Sequence, residues 1–399
     1  MNRRFQFAVV ASSTCVVLLL LFGAVRGRSA SADNTYSHLG VYSEVLSRIK
    51  ADYVEEPDMK AVTAGAINGM LESLDPYASY LNADQYKQYQ SSKATTKADV
   101  GLVLSRRYGY LSVVDALPGG PAAKAGLSTG DVIESINNVA TRDMPLAFAE
   151  ILLGGENGTS IEMSVLRVRK SEPQTFKLIR TNLVYPPVSG KIVTEQSETI
   201  GVVQTYTLAR GRVKEIAAKI QELEKQGAKR FILDLRHCAM GDPEEGVALA
   251  NLFMDKGLIT YVQGQKVSRE DSQAVASKQI NKLPLAVLVD RGTAGPAEIA
   301  AAALLDSKRA QVVGERTYGD AAIRKAVTME DGSAVILSVA KYYSPDGKAI
   351  QDTGVTPNVA QDETVVSDNP DDDADSNEPA KPGPDLIMNR AIQQKPEQN

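Results

Sequence analysis

Cysteine and histidine are almost missing from this chain, with two of each among 399 residues. Cys15 and Cys238 are too few and too far apart for a disulfide framework. His237 precedes Cys238, but no second histidine or carboxylate sits at ligand spacing, so no metal site is read there. Adjacent residues on an extended loop point in opposite directions. The two therefore do not read as a nucleophile with its base, and His237 reads as a surface or packing residue. Basic charge is also short. Lys+Arg number 44 against 49 Asp+Glu, a net charge of −5 that argues against a nucleic-acid partner. No cofactor is expected.

What is present is an ordinary globular balance, 43% hydrophobic and 23% charged, over a length that suits two or three domains. Residues 1–32 read as a targeting segment. Arg3 and Arg4 lead into an apolar run from Phe7 to Val25, and Ser29-Ala30-Ser31-Ala32 offers small residues for cleavage. A secretory signal is the first reading. The run is also close to the ~20 residues that span a bilayer, so an uncleaved membrane anchor stays open. Either way the chain is expected to be exported, to the periplasm or the outer face of the cytoplasmic membrane. Cys15 lies inside the apolar run, which argues against a lipoprotein site.

Residues 33–95 read as an N-terminal helical region. Leu39, Tyr42, Val45, Leu46 and Ile49 recur at helical spacing, and Gly65 to Leu74 predicts a second helix. Residues 96–184 carry Gly101-Leu102-Val103-Leu104, then Pro121-Ala122-Ala123-Lys124-Ala125-Gly126-Leu127, then Gly130-Asp131-Val132-Ile133. Ala147 to Leu153 predicts a helix. Over 185–360 strands alternate with helices, as in an α/β core: Thr199 to Tyr206, the amphipathic face Val213-Ile216-Ala217-Ile220-Leu223, then Arg230 to Leu235. Residues 361–399 are acidic, with Asp371-Asp372-Asp373 and little apolar content, and read as a disordered tail. Pro384 to Gln394 reads as a short terminal helix.

The chain is organised around Leu285 to Tyr318. Leu285 to Asp290 is a short apolar run suited to a buried strand, and Arg291-Gly292-Thr293-Ala294-Gly295 forces a turn. Pro296 opens a helix of strong helix formers, Ala297 to Leu305. A sharp turn between a strand and a helix N-terminus is a common mount for a nucleophile, since free helix N–H groups can stabilise an oxyanion. Here the residue at the apex is Gly295.

These motifs resemble the C-terminal processing peptidases, or tail-specific serine proteases. Their signature G-[ST]-A-S-A-S-E-I is similar to Gly292-Thr293-Ala294-Gly295-Pro296-Ala297-Glu298-Ile299. Their V-V-G-E-x-T-[FY]-G-K-G-x-x-Q is similar to the segment from Val312 to Arg324, and Ala340 to Gln351 matches a further family segment. Residues 96–184 resemble the PDZ domain of the same family. The resemblance implies a multidomain α+β fold: N-terminal helices, a PDZ domain and a crotonase-like ββα peptidase core.

It also places the family's serine nucleophile at Gly295, its lysine base at Asp320, the glutamine that orients the lysine at Arg324, and an oxyanion-loop glycine at Met240. All four have changed type, so no catalytic set is intact. A β-carbon at Met240 limits its backbone freedom. Thr293 reads as a turn hydroxyl. The resemblance implies that Gly101, Leu102, Val103 and Leu104 bind a peptide C-terminus, with the next strand pairing with the peptide. The expectation is a proteolytically inactive relative that binds polypeptide C-terminal tails as an adaptor or regulator. Its partners would be such tails, a further copy of itself or an active peptidase relative. A working serine endopeptidase and a structural envelope protein with a closed PDZ groove are the alternatives.

Overall fold

The structure is a computed structural model that describes residues 33–95, 98–167, 170–363 and 383–394. Residues 1–32, expected to be a targeting segment, and most of the acidic tail lie outside the described residues. The chain divides into two compact units at Ala66–Ile67. The first contains helix α1 (Asp33–Asp52) and the start of α2 (Met59–Glu72). Asp58 starts α2, its carboxylate taking the Lys60 and Ala61 N–H groups at 2.9 and 3.2 Å.

The second unit begins with the rest of α2, followed by strand β1 (Ser79–Leu81) and helix α3 (Ala83–Thr95). Next come β2 (Leu102–Arg107), β3 (Tyr110–Ala116), α4 (Pro121–Lys124), β4 (Val132–Ile136) and β5 (Val139–Ala140). Helix α5 (Leu146–Leu153), β6 (Ser160–Leu166) and β7 (Gln174–Ile179) follow. The strands form a sheet in the order β2-β3-β4-β6-β7, with β5 on β4 and β2 at an edge. This is the PDZ-like part. Its core is Leu102, Leu104, Leu111, Val113, Ile133, Ile136, Met163 and Val165, roughly every second residue of each strand, as one face over a core demands.

The core then runs through β8 (Ser189–Glu195), β9 (Glu198–Gln204), β10 (Thr207–Leu208), α6 (Arg212–Lys225), β11 (Arg230–Asp234), β12 (Met240–Gly241) and α7 (Pro243–Asn251). It continues through β13 (Leu258–Gln263), β14 (Glu270–Gln273), β15 (Leu285–Val289), α8 (Pro296–Asp306) and β16 (Gln311–Gly314). Last are β17 (Ala322–Thr328), β18 (Ala334–Tyr343), β19 (Val359–Ala360) and α9 (Leu386–Gln393). The main sheet has the order β19-β16-β15-β11-β9-β8, parallel throughout except for β8. Helices cover both faces, so β11 and β15 are buried at every residue and read as continuous apolar runs. A smaller sheet joins β1, β18, β13 and β14, with β17 also on β18.

One expectation is corrected. The region 33–95 is not helical throughout. Ser79–Leu81 pairs antiparallel with Ala334–Ile336 of β18, and Leu81 is fully buried. A three-residue strand completed by a distant partner has too few residues to show a period. The expected terminal helix within Pro384 to Gln394 is present as α9. Helix α9 packs on the main sheet through Ile387 and Ala391, both fully buried. Arg230, itself buried, donates to the Ala391 and Gln394 carbonyls at 3.1 Å and to Ile392 O, which caps the helix C-terminus. Arg236 forks onto Asp385 at 2.9 Å on both arms.

Candidate functional site

The turn from β15 to α8 is built from small residues because backbone crowds it. Gly246 of α7 lies against Pro296, where a β-carbon would collide with the Pro296 carbonyl. Gly295 has φ +59° and ψ −120°, a conformation that a residue with a side chain adopts only under strain. A β-carbon built there would still have room, at 3.5 Å from Asp320 O and 3.7 Å from Ala239 O. The Gly295 N–H donates to Glu298 Oε2 at 3.0 Å.

Glu298 is the fixed point of this corner. It is fully buried, and its carboxylate also accepts Asp320 N–H at 2.8 Å, Gly319 N–H at 2.7 Å and the Thr317 hydroxyl. Burial pushes its carboxyl up to about 7, and these donors pull against that. One side chain thus ties the β15–α8 turn to the loop after β16. That is why positions 295 and 320 come together from 25 residues apart, 320 less 295.

Asp320 and Arg324 occupy the far side of the turn as an ion pair. Burial raises the Asp320 carboxyl, and Arg324 works in the opposite sense. The Arg324 guanidinium also stacks 3.8 Å over the Tyr77 ring. Met240 lies in β12, paired in parallel with Thr207 of β10, and its carbonyl accepts the Thr207 hydroxyl at 3.0 Å. The unusual backbone of this loop is at Gly241 (φ +144°) and His237 (φ +56°), beside Met240 rather than on it.

Thr293, the hydroxyl near the turn, and Cys238, the thiol beside His237, are both engaged or shielded. Thr293 Oγ1 donates to Leu235 O and stands 2.9 Å from Asp290 Oδ1, so it is a turn hydroxyl. Cys238 is fully buried, and burial pushes its thiol far above its ordinary range.

His237 is not the lone residue that the sequence suggests. Its Nδ1 is 3.2 Å from Asp115 Oδ1 on β3, and its Nε2 is 3.3 Å from Asp290 Oδ2 and 3.8 Å from Glu363 Oε1. Burial lowers its pKa, but hydrogen bonds to Asp115 and Glu363 and the Asp290 charge raise it further, to about 11. The carboxylates come from 122, 53 and 126 positions away (237 less 115, 290 less 237, 363 less 237), a separation that no local spacing rule can detect.

At the other candidate site, Gly101 has φ +79° and immediately precedes the edge strand β2, with α5 beside that strand. The Gly101 N–H already donates to Asp99 Oδ1 at 2.7 Å. Burial raises the Asp99 carboxyl, and the Gly101, Val100 and Leu102 amides pull it back. Leu102 and Leu104 point into the PDZ-like core and are buried, while Val103 is half-buried. Further along β2, the Ser105 hydroxyl bonds the Tyr318 hydroxyl, and the Tyr318 ring meets Tyr77 edge-on. The sequence reading missed both Asp99 and Tyr318. Asp99 sits only two residues before Gly101, and that proximity was the available signal.

Comparisons with known proteins agree with these parts. The profile described as "Peptidase family S41" matches residues 199–361, that for a PDZ domain residues 112–167, and that for the "Activating protease CtpB N-terminal domain" residues 22–85. The chain is 32% identical over 366 residues to the carboxy-terminal processing protease CtpA of Bacillus subtilis, covering 90% of this chain and 78% of that protein. It is 30% identical to a carboxyl-terminal-processing protease of Synechocystis, covering 84% and 78%. A solved photosystem II D1 C-terminal processing protease superposes with a TM-score of 0.67 at 31% identity, over 79% of this chain and 86% of that one.

Proposed function

The chain belongs to the carboxy-terminal processing proteases, and on that premise we propose that it is a member without peptidase activity that engages polypeptide C-termini as an adaptor or regulator. The observation that carries this reading is Gly295. The turn is held in shape by Glu298, it has room for a side chain, and it bears none. Removing a covalent nucleophile costs on the order of 10⁶-fold in rate in a well-studied serine protease. Three further features support the reading. Asp320 is paired with Arg324, so the position of the base holds an anion tied to a cation. The Gly295 N–H is committed to Glu298. Neither Thr293 nor Cys238 is placed to substitute. The test is a phosphonylating or acylating active-site probe on the full chain. No residue should be labelled in stoichiometric amount; labelling of one hydroxyl or thiol would reject the proposal.

In this reading the PDZ-like unit supplies polypeptide recognition at Gly101–Leu104 and the β2 edge, outside the cytoplasm. A second reading keeps that groove shut, so that the unit only packs. It is favoured by Asp99 on the Gly101 amide and by the Tyr318–Ser105 bond across β2. Titration with an apolar C-terminal peptide as free acid and as amide separates the two. Binding that needs the free carboxylate supports recognition, and no binding of either supports the closed groove. Among the described residues no helix is long and apolar enough to cross a membrane.

A further inference from the structure

The side chains His237, Asp290 and Glu363 converge beside the β15–α8 turn, and none of the four changed catalytic positions is among them. We propose that they form a binding site for a divalent transition-metal cation, with Zn²⁺ the best match, and that Asp115 orients the histidine ligand.

The distances carry the proposal. Two ligands on one tetrahedral ion, each ~2.0–2.1 Å from it, stand roughly 3.3–3.4 Å apart. His237 Nε2 lies 3.3 Å from Asp290 Oδ2 and 3.8 Å from Glu363 Oε1, and the three ligand atoms lie within 4.8 Å of one another. The imidazole is already aimed. Its Nδ1 faces Asp115 Oδ1 at 3.2 Å, the carboxylate–histidine arrangement that fixes the ring of a metal-bound histidine. Asp290 is aimed too. The His237 backbone N–H lies 3.2 Å from both Asp290 oxygens, which fixes the carboxylate with Oδ2 beside the ring.

Charge and access point the same way. Asp115, Asp290 and Glu363 place three carboxylates on one imidazole, and the neighbouring Arg291 is paired with Glu315 at 3.1 Å. A doubly charged cation offsets that excess better than one imidazolium does. The Asp115 and Asp290 side chains are 5% and 2% exposed, against 38% for His237 and 46% for Glu363, so the site has a buried floor and an open mouth. Behind the ring, Gly292 leaves space. A β-carbon there would stand 3.1 Å from His237 Nδ1, 3.3 Å from Asp115 Oδ1 and 3.4 Å from Thr129 Oγ1. Thr129 Oγ1 is buried with no hydrogen-bond partner among the described residues, which suits a water bridging in this supporting layer. Imidazole with two carboxylates suits Zn²⁺ or Mn²⁺ better than Mg²⁺. Such an ion would tie the PDZ-like sheet, through Asp115, and the segment after β19, through Glu363, to the end of β15.

The test uses the full chain stripped with a chelator and titrated calorimetrically with Zn²⁺, Mn²⁺ and Mg²⁺, together with Co²⁺ absorption. The expected result is one Zn²⁺ per chain, weaker Mn²⁺ and no Mg²⁺. Asp115→Asn should weaken Zn²⁺ binding ~10–100-fold. His237→Gln should abolish stoichiometric binding. Glu363→Gln changes an exposed side chain and should keep the fold while losing the visible Co²⁺ bands. Absence of stoichiometric Zn²⁺ or Mn²⁺ binding overturns the proposal, as does Zn²⁺ affinity unchanged in both His237→Gln and Glu363→Gln.

Discussion

A β-carbon on Gly295 would sit 3.5 Å from the carbonyl oxygen of Asp320, so the two positions face each other across the turn. The scaffold that brings them together is intact and rests on Glu298, which takes the N–H groups of both residues. What has changed is the chemistry mounted on it. A mount kept in shape without its reactive side chains accounts for both the resemblance to the processing proteases and the proposed loss of turnover.

Glu298 should give folding a distinct pH dependence. Burial raises its carboxyl from 4.5 to about 7, so between those values the folded chain holds a proton that the unfolded chain releases. Its contribution is fully present below pH 4.5 and is lost as pH rises through 7. The difference in unfolding free energy between wild type and Glu298→Gln should therefore shrink over that window, by on the order of 3 kcal/mol. Urea melts of both proteins at several pH values measure it. A difference that stays flat or grows with pH contradicts the assignment.

The Asp320–Arg324 pair should behave as a unit. Their side chains are only 20% and 30% exposed, so Asp320→Ala leaves a largely desolvated guanidinium and should cost about 2–3 kcal/mol. Adding Arg324→Met should recover about 1 kcal/mol or more, because the stranded charge goes with it. Strictly additive losses in denaturant melts would show that the pair is not coupled.

Arg230→Met should release the C-terminal helix. It removes the donors that cap α9 and the partner of Glu198 at 3.2 Å, at a cost of about 2–3 kcal/mol. Amide exchange in Leu386–Gln393 should rise well before that of β11. Unchanged protection there would mean that Ile387 and Ala391 suffice to dock the helix.

How much of this was legible in sequence depends on the range of the contact. The β15 strand and α8 helix were readable because an apolar run, a small-residue turn and an N1 proline lie next to one another. The PDZ-like helix was legible to within one residue, Leu146 against the expected Ala147. Strand β1, the docking of α9 and the carboxylates around His237 were not. Each needs a partner far away in the chain, and none leaves a local period or spacing. Helix α9 was readable as a helix, but its acidic, Pro-rich neighbourhood hid the buried face that Ile387 and Ala391 provide.

Asp99→Asn should tighten binding of an apolar C-terminal peptide several-fold. The substitution removes an anion that competes for the Gly101 amide, and it keeps the shape of the side chain. Fluorescence anisotropy with a labelled free-acid peptide reads it, with the amide as control. Weaker binding in the variant would mean that Asp99 organises the loop rather than blocks it.

The most direct measurement is incubation of the full chain with an unfolded protein that ends in an apolar tail, followed by intact-mass analysis over many hours. The account predicts an unchanged substrate mass with wild type and with Thr293→Val. Reproducible cleavage by wild type that is lost when one hydroxyl or thiol is replaced would contradict it.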